Sequence, residues 1–179
     1  HLQRDSPALA YCERRGLSSD VLESWGIGSA PSDRQSLTLH LKKSGFSLAD
    51  CKELFLVDGS QEAGYYDRFS GRLIIPIFDE RGALVAFGGR IMGPGEPKYI
   101  NSSDTPLYSK RRVLYGMHRA KESISSAGYA VLVEGYLDVI ACHRAGVHQA
   151  VASLGTSLSD DHASLLKRWC QEVVVLYDS

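Results

Sequence analysis

Three acidic residues stand where a folded chain rarely places charge. Glu134 directly follows the apolar run YAVLV at Tyr129–Val133, Asp138 comes four residues later, and Asp178 directly follows the apolar run VVVLY. In open parallel sheets, ligands collect beyond the carboxyl ends of the strands. If the two runs are neighbouring strands, Glu134 and Asp178 meet at one sheet edge. Two uncompensated carboxylates there repel, and a cation relieves them. Ligands that are all oxygen suit Mg²⁺ or Mn²⁺ better than zinc. Asp138 has two readings: it reaches the same ion, or it is a first-turn acid favoured by the helix dipole. Glu134 alone would pass for a surface acid at a strand end; its pairing with Asp178 favours the metal. Gly135 permits a sharp strand-to-helix turn.

The elements that must carry these acids can be read in order. The last third alternates: strand 129–133, helix 138–145, strand 149–153, helix 159–170, strand 172–177. A βαβαβ order predicts a parallel sheet, hence an α/β fold. Thr156, after Leu154-Gly155, either touches phosphate or forms a helix-entry turn. The middle changes period. LIIPIFD and ALVAFGGR, separated by Arg81-Gly82, predict an antiparallel hairpin. Pro76 inside the first run predicts an edge or a bulge. The stretch MGPGEPKYINSSDTPLYSKRR has few core candidates and reads as a long ordered loop. The opening third predicts four short helices. The first starts at Ser6-Pro7 and stops at Gly16. The second is capped by Ser18 or Ser19, points Val21, Leu22 and Trp25 inward and stops at Gly26. The others span 36–44 and 47–54.

Composition narrows the class. At 179 residues the chain can bury a core as one domain or two small ones. No apolar run approaches the roughly 18 residues that span a bilayer. HLQRDSPALAY has no apolar signal core, so no export and a cytoplasmic location are expected. The start at His1 suggests an excised fragment. Cys12, Cys51, Cys142 and Cys170 form no CxxC pair and read as reduced structural thiols. His118, His143, His148 and His162 lack metal-ligand spacing and read as surface or satisfied groups. Trp25 and Trp169 read as core. The net charge of −1 argues against indiscriminate polyanion binding, but its distribution does not: residues 64–121 hold ten Lys/Arg against five Asp/Glu. A basic middle can hold a polyanion locally.

VEGYLD, ASLGTSLSDDH and VVVLYDS together resemble the Toprim module shared by bacterial primases, topoisomerases and some nucleases. Upstream, RRGLSSDVLESWGIGSAP, GYYDRFSGRLIIPIFDERGALVAFGGR and PKYINSSDTPLYSKRRVLYGMHRAK resemble the catalytic core of bacterial replicative primases of the DnaG type, in the same order. The resemblance covers about Ser6 to Ser179. It implies an α+β N-terminal subdomain over 1–126 with a basic nucleic-acid-binding loop, then a partial Toprim domain over 127–179. It implies a DNA-directed RNA polymerase, a nucleotidyltransferase of DNA replication that writes short RNA primers on single-stranded DNA with divalent Mg²⁺ or Mn²⁺. Glu134 matches the family's Toprim glutamate, Asp138 its second acid, and Asp178 the first aspartate of a DxD metal motif. All three are thereby candidate catalytic and metal-binding residues. The second aspartate of that motif falls beyond Ser179, so the fragment is expected to be inactive alone.

Arg68, Arg90, Lys98, Tyr99, Asn101 and Lys110 match family positions for nucleotide or template contact. Arg brings a planar fork to phosphate and Lys a compact charge; Tyr99 and Asn101 could stack on or bond a base or sugar. Gly88 and Gly89 would let backbone approach a phosphate, or simply turn. No more than one of Arg111 and Arg112 is expected to contribute. Implied partners are single-stranded DNA, NTPs, the RNA primer and, through a region outside this chain, the replicative helicase of the primosome. The family's zinc also belongs to a domain outside this chain. No membrane partner is implied, and the fragment is expected to be monomeric. Two alternatives stay open: another Toprim protein, a topoisomerase or nuclease, and a non-catalytic fragment that only binds single-stranded DNA.

Overall fold

The computed structural model describes residues 7–155 and 157–177. The chain packs as two compact units, His1–Pro76 with Ala86–Leu107, and Ile77–Val85 with Tyr108–Ser179.

The first unit opens with two short helices. Helix α1 (Pro7–Arg14) buries Ala8, Tyr11 and Cys12, and the chain leaves it through Gly16 at φ 69°. Helix α2 (Ser19–Ser24) has Ser18 at its N-cap, with no side-chain capping bond. It buries Leu22 and, just past its end, Trp25. Strand β1 (Gly28–Ser29) follows, then α3 (Ser36–Lys43) and α4 (Leu48–Glu53). All four helices form where the sequence places them; Ser6, the expected start of the first, lies outside the described residues. The start of α3 is satisfied by acids rather than by its own N-cap residue, Gln35. Asp33 Oδ1 accepts from the Gln35 and Ser36 amides. The buried Asp67 accepts from the Leu37 and Thr38 amides and the Thr38 hydroxyl, at 2.6–2.8 Å. Ser47 caps α4 through the Asp50 amide.

Strands β2 (Val57–Ser60) and β3 (Gly64–Asp67) form an antiparallel pair of their own. The larger sheet contains β4 (Arg72–Phe78), β5 (Leu84–Ile91) and β6 (Tyr99–Asn101) in the order β1-β4-β5-β6. Thus the expected hairpin forms as β4 and β5, but β4 is an interior strand. Pro76 is tolerated because β1 pairs only with Leu73 and Ile74, so the proline lies past that ladder and costs no bond to β1. The segment read as one long loop contains β6, which pairs antiparallel with β5. Three residues are too few to show a period.

The second unit takes the turn of the β4–β5 hairpin and the α/β region. Helix α5 (Met117–Ala127) was not evident from the sequence; it buries Met117, Ala120 and Ile124 and is bounded by Gly116 and Gly128, both left-handed. Then come β7 (Tyr129–Val133), α6 (Tyr136–Arg144), β8 (Ala150–Ala152), α7 (Asp160–Leu166) and β9 (Glu172–Val175). The three strands are parallel in the order β8-β7-β9, as the βαβαβ pattern requires. Leu114, Met117, Ile124, Leu132, Val151 and Leu166 centre its core. Helix α7 ends four residues earlier than expected, and β9 two.

His162 is fully buried; its amide donates to Ser159 Oγ and its Nδ1 accepts from the Ser159 amide, closing a capping box. His118 packs on Phe78 at 4.9 Å, and burial lowers its pKa to about 4. The four cysteines are free thiols.

Candidate functional site

Strand β7 is buried along Ala130–Val133, and the next residue, Glu134, is exposed. Gly135 is extended (φ −145°, ψ 179°) as the N-cap of α6. With no side chain to cap the helix, it donates its amide to Asp138 Oδ2 at 3.0 Å. Asp138 therefore secures the entry to α6 while remaining exposed, as Glu134 is. Strand β7 lies between its neighbours, and the Leu176 amide donates to Leu132 O at 2.8 Å, carrying the β7–β9 pairing toward the carboxyl edge. Asp178 and Thr156 lie outside the described residues. Among the described residues, no three His, Cys, Asp or Glu side chains converge as a metal cage. The donor chemistry of Glu134 and Asp138, exposed carboxylate oxygens at a parallel-sheet edge, fits a hard divalent cation.

The basic candidates in the first unit fall into two arrangements. Arg68 lies 2.6 Å from Asp58 Oδ2 and 3.9 Å over the Phe55 ring, so its charge is already engaged. The Gly59 amide first, and then Arg68, hold the Asp58 carboxyl below its usual range. Arg90, Tyr99 and Asn101 lie on the β5–β6 ladder, where Arg90 pairs with Tyr99 and Gly88 with Asn101, and Lys98 directly precedes β6, its carbonyl accepting from the Ile91 amide at 3.0 Å. Arg90 and Lys98 line a cleft of about 400 Å³, along with Arg14, Tyr11, Met92 and Glu96. Arg90 lies 3.9 Å over the Tyr11 ring and 5.7 Å from that of Tyr99. Lys110 belongs to the second unit.

Three residues of this site were not singled out in the sequence. Arg14 and Tyr11 passed as ordinary helix residues. Arg72 is buried, and its Nη1 donates to Gly89 O at 3.4 Å and Pro97 O at 3.0 Å, tying β5 to the segment before β6. The glycine pair is no turn, since both residues lie within β5. A Cβ on Gly89 would stand 2.7 Å from Phe69 Cδ1 and 3.1 Å from Arg72 Cδ. Packing on Phe69 and Arg72 explains this glycine.

Comparison with known proteins divides the chain by sequence, at a different boundary from the packing units. Residues 1–121 match the family model for the DNA primase catalytic core, N-terminal domain, and residues 128–179 match the Toprim domain. The DNA primase of Halalkalibacterium halodurans is 41% identical over 169 residues, 94% of this chain and 28% of that protein. The RNA polymerase domain of Mycobacterium tuberculosis primase DnaG, in complex with a double-stranded DNA oligomer with a 6-nucleotide overhang, superposes with a TM-score of 0.91 at 35% identity, covering 99% of this chain and 58% of that one. A DnaG primase catalytic domain bound to single-stranded DNA superposes at 0.85 and 37% identity, covering 97% of this chain and 56% of the other. The chain spans less than a third of the length of the curated relatives it matches. A topoisomerase or nuclease reading gives no account of the match over residues 1–121. With a primase N-terminal domain followed in order by a Toprim domain, the chain belongs to the DNA primase catalytic core family.

Proposed function

We propose that this chain supplies the template-binding portion and part of the catalytic portion of a DNA-directed RNA polymerase that synthesises short RNA primers on single-stranded DNA. The observation that carries this reading is the end of the β5–β6 ladder, where Arg90 pairs with Tyr99 and Lys98, just before β6, lines the same cleft as Arg90. Arg90 and Lys98 offer charge to successive phosphates, and Tyr99, 40% exposed, offers a ring to a base. Arg14 adds a third cation to the cleft. Arg68 acts as a secondary contact, because a phosphate must compete with Asp58 for it. Lys110, in the second unit, is a separate candidate for nucleotide or template contact. The chain divides by role at about residue 126, with template contact before it and nucleotidyl transfer after it.

Glu134, Asp138 and Asp178 would hold divalent Mg²⁺ or Mn²⁺. The ions, when bound, supply activation of a ribose 3′-hydroxyl and neutralisation of the triphosphate and departing pyrophosphate, as two-metal phosphoryl transfer requires. The chain's own part is positional. The buried β7 strand fixes Glu134 at the sheet edge, and the Gly135–Asp138 bond fixes the start of α6. NTPs and the growing RNA are the substrates. A replicative helicase would engage a region outside this chain, the fragment would be monomeric, and the protein would work in the cytoplasm at the replisome.

Two assays test this. In a full-length primase carrying these residues, Glu134→Gln should lower primer synthesis by about 10²-fold or more; unchanged synthesis would overturn the catalytic reading. The 179-residue chain should bind a single-stranded oligonucleotide with an affinity that falls steeply with salt, by about 0.7 log unit per log unit of salt for each phosphate contact. A flat salt response would overturn the basic-cleft reading.

A further inference from the structure

We infer that Tyr11 is a positioning residue for Arg90, holding its guanidinium in the cleft before any strand arrives. This rests on the reading of the cleft as a single-strand site. Arg90 is a long side chain projecting from β5, and an unrestrained arginine samples many rotamers, which weakens each contact it later makes. Here the guanidinium lies 3.9 Å over the Tyr11 ring, with Tyr99 at 5.7 Å. Among the described residues the fork makes one hydrogen bond, from Nη1 to Ile91 O at 3.2 Å. Arg90 Nε is buried without a hydrogen-bond partner among the described residues. An aromatic face can attract a guanidinium without occupying its N–H donors, so the stacking leaves donors for a phosphate. A carboxylate in place of Tyr11 would fix the arginine equally well but would neutralise it, as Asp58 does for Arg68.

Tyr11 is suited to this. It is 7% exposed on the inward face of α1, so its ring is itself held. A phenol is neutral at physiological pH, and burial, then the neighbouring Tyr99, raise the pKa of this one further. Arg15 lies 5.6 Å from the same ring.

The test is a double-mutant cycle read by fluorescence anisotropy, with the 179-residue chain and a labelled single-stranded DNA oligonucleotide. Tyr11→Leu should weaken binding about fivefold, and Tyr11→Phe, which keeps the ring, should restore affinity to within about twofold. In an Arg90→Ala background, Tyr11→Leu should have no further effect. A second readout needs no DNA: the Arg90 Nε–H proton resonance should carry an aromatic ring-current shift that Tyr11→Leu abolishes and Tyr11→Phe retains. If Arg90→Ala weakens binding yet Tyr11→Leu costs as much with Arg90 as without it, Tyr11 is merely structural and the positioning role is overturned while the cleft reading stands. If Arg90→Ala leaves binding unchanged, the cleft reading fails and the positioning role falls with it. Absence of the ring-current shift overturns the positioning role whatever the affinities show.

Discussion

Asp67 illustrates how one buried side chain can set a local structure. It sits at 5% exposure and receives three hydrogen bonds from the first turn of α3. Removing it leaves two amides and a hydroxyl without their acceptor, and each such loss in a buried setting costs about 1–3 kcal/mol. Asp67→Ala should therefore destabilise the protein by about 2–4 kcal/mol, seen as a lower urea midpoint, whereas Asp33→Ala, on the exposed side of the same turn, should cost about 1 kcal/mol. His118 gives a pH prediction. Its folded pKa, about 4, lies below that of an unfolded histidine, so the unfolded state binds the extra proton between these values. Stability contributed by neutral His118 is present above about pH 6.5 and is lost as pH falls toward 4. Burial lowers His143 and His162 in the same direction. His118→Gln should flatten, without abolishing, the fall in melting temperature between pH 7 and 4.

At the scale of elements, β5 is constrained from both sides of its chain. Arg72 holds Gly89 O, and Phe69 occupies the space where a Gly89 side chain would go. Gly89→Ala should destabilise by about 1–3 kcal/mol through overpacking and should weaken oligonucleotide binding, since Arg90 is the next residue. Denaturation and anisotropy on the same variant check both. The βαβαβ half was legible because Tyr129–Val133 and the run through Val175 are continuous apolar strands separated by helix-length segments. Helix α5 was not, since only Met117, Ala120 and Ile124 of its eleven residues are buried, which gives a thin periodic signal. Strand β6 was hidden by the Gly, Pro and Ser around it. Of the site, the residue types in FGGR and PKY could be named from the sequence, and a resemblance gave them roles. Their alignment across a ladder could not be named, because Gly88 and Asn101 are thirteen positions apart. Tyr11 under Arg90 was further out of reach: a contact across 79 positions leaves no local pattern.

For the whole molecule, charge and thiol state make separate predictions. The described residues include no helix long and apolar enough to cross a membrane. With every cysteine free, reductant should leave the melting temperature unchanged. Chelation of divalent ions should stop primer synthesis by a full-length primase carrying these residues, yet oligonucleotide binding by this chain should survive it, because the cations of the cleft need no metal. Retained synthesis in excess chelator would contradict the assignment of Glu134 and Asp138. The partition of the chain also bears on how the protein can be dissected. The second unit borrows Ile77–Val85 from far upstream: Phe78 covers His118, Glu80 receives Arg168 through its carboxylate and Lys121 through its carbonyl. A gene fragment starting at Tyr108 would thus encode a half lacking nine of its own residues. Such a clone should give insoluble product, and supplying the missing segment as a grafted N-terminal extension should recover it.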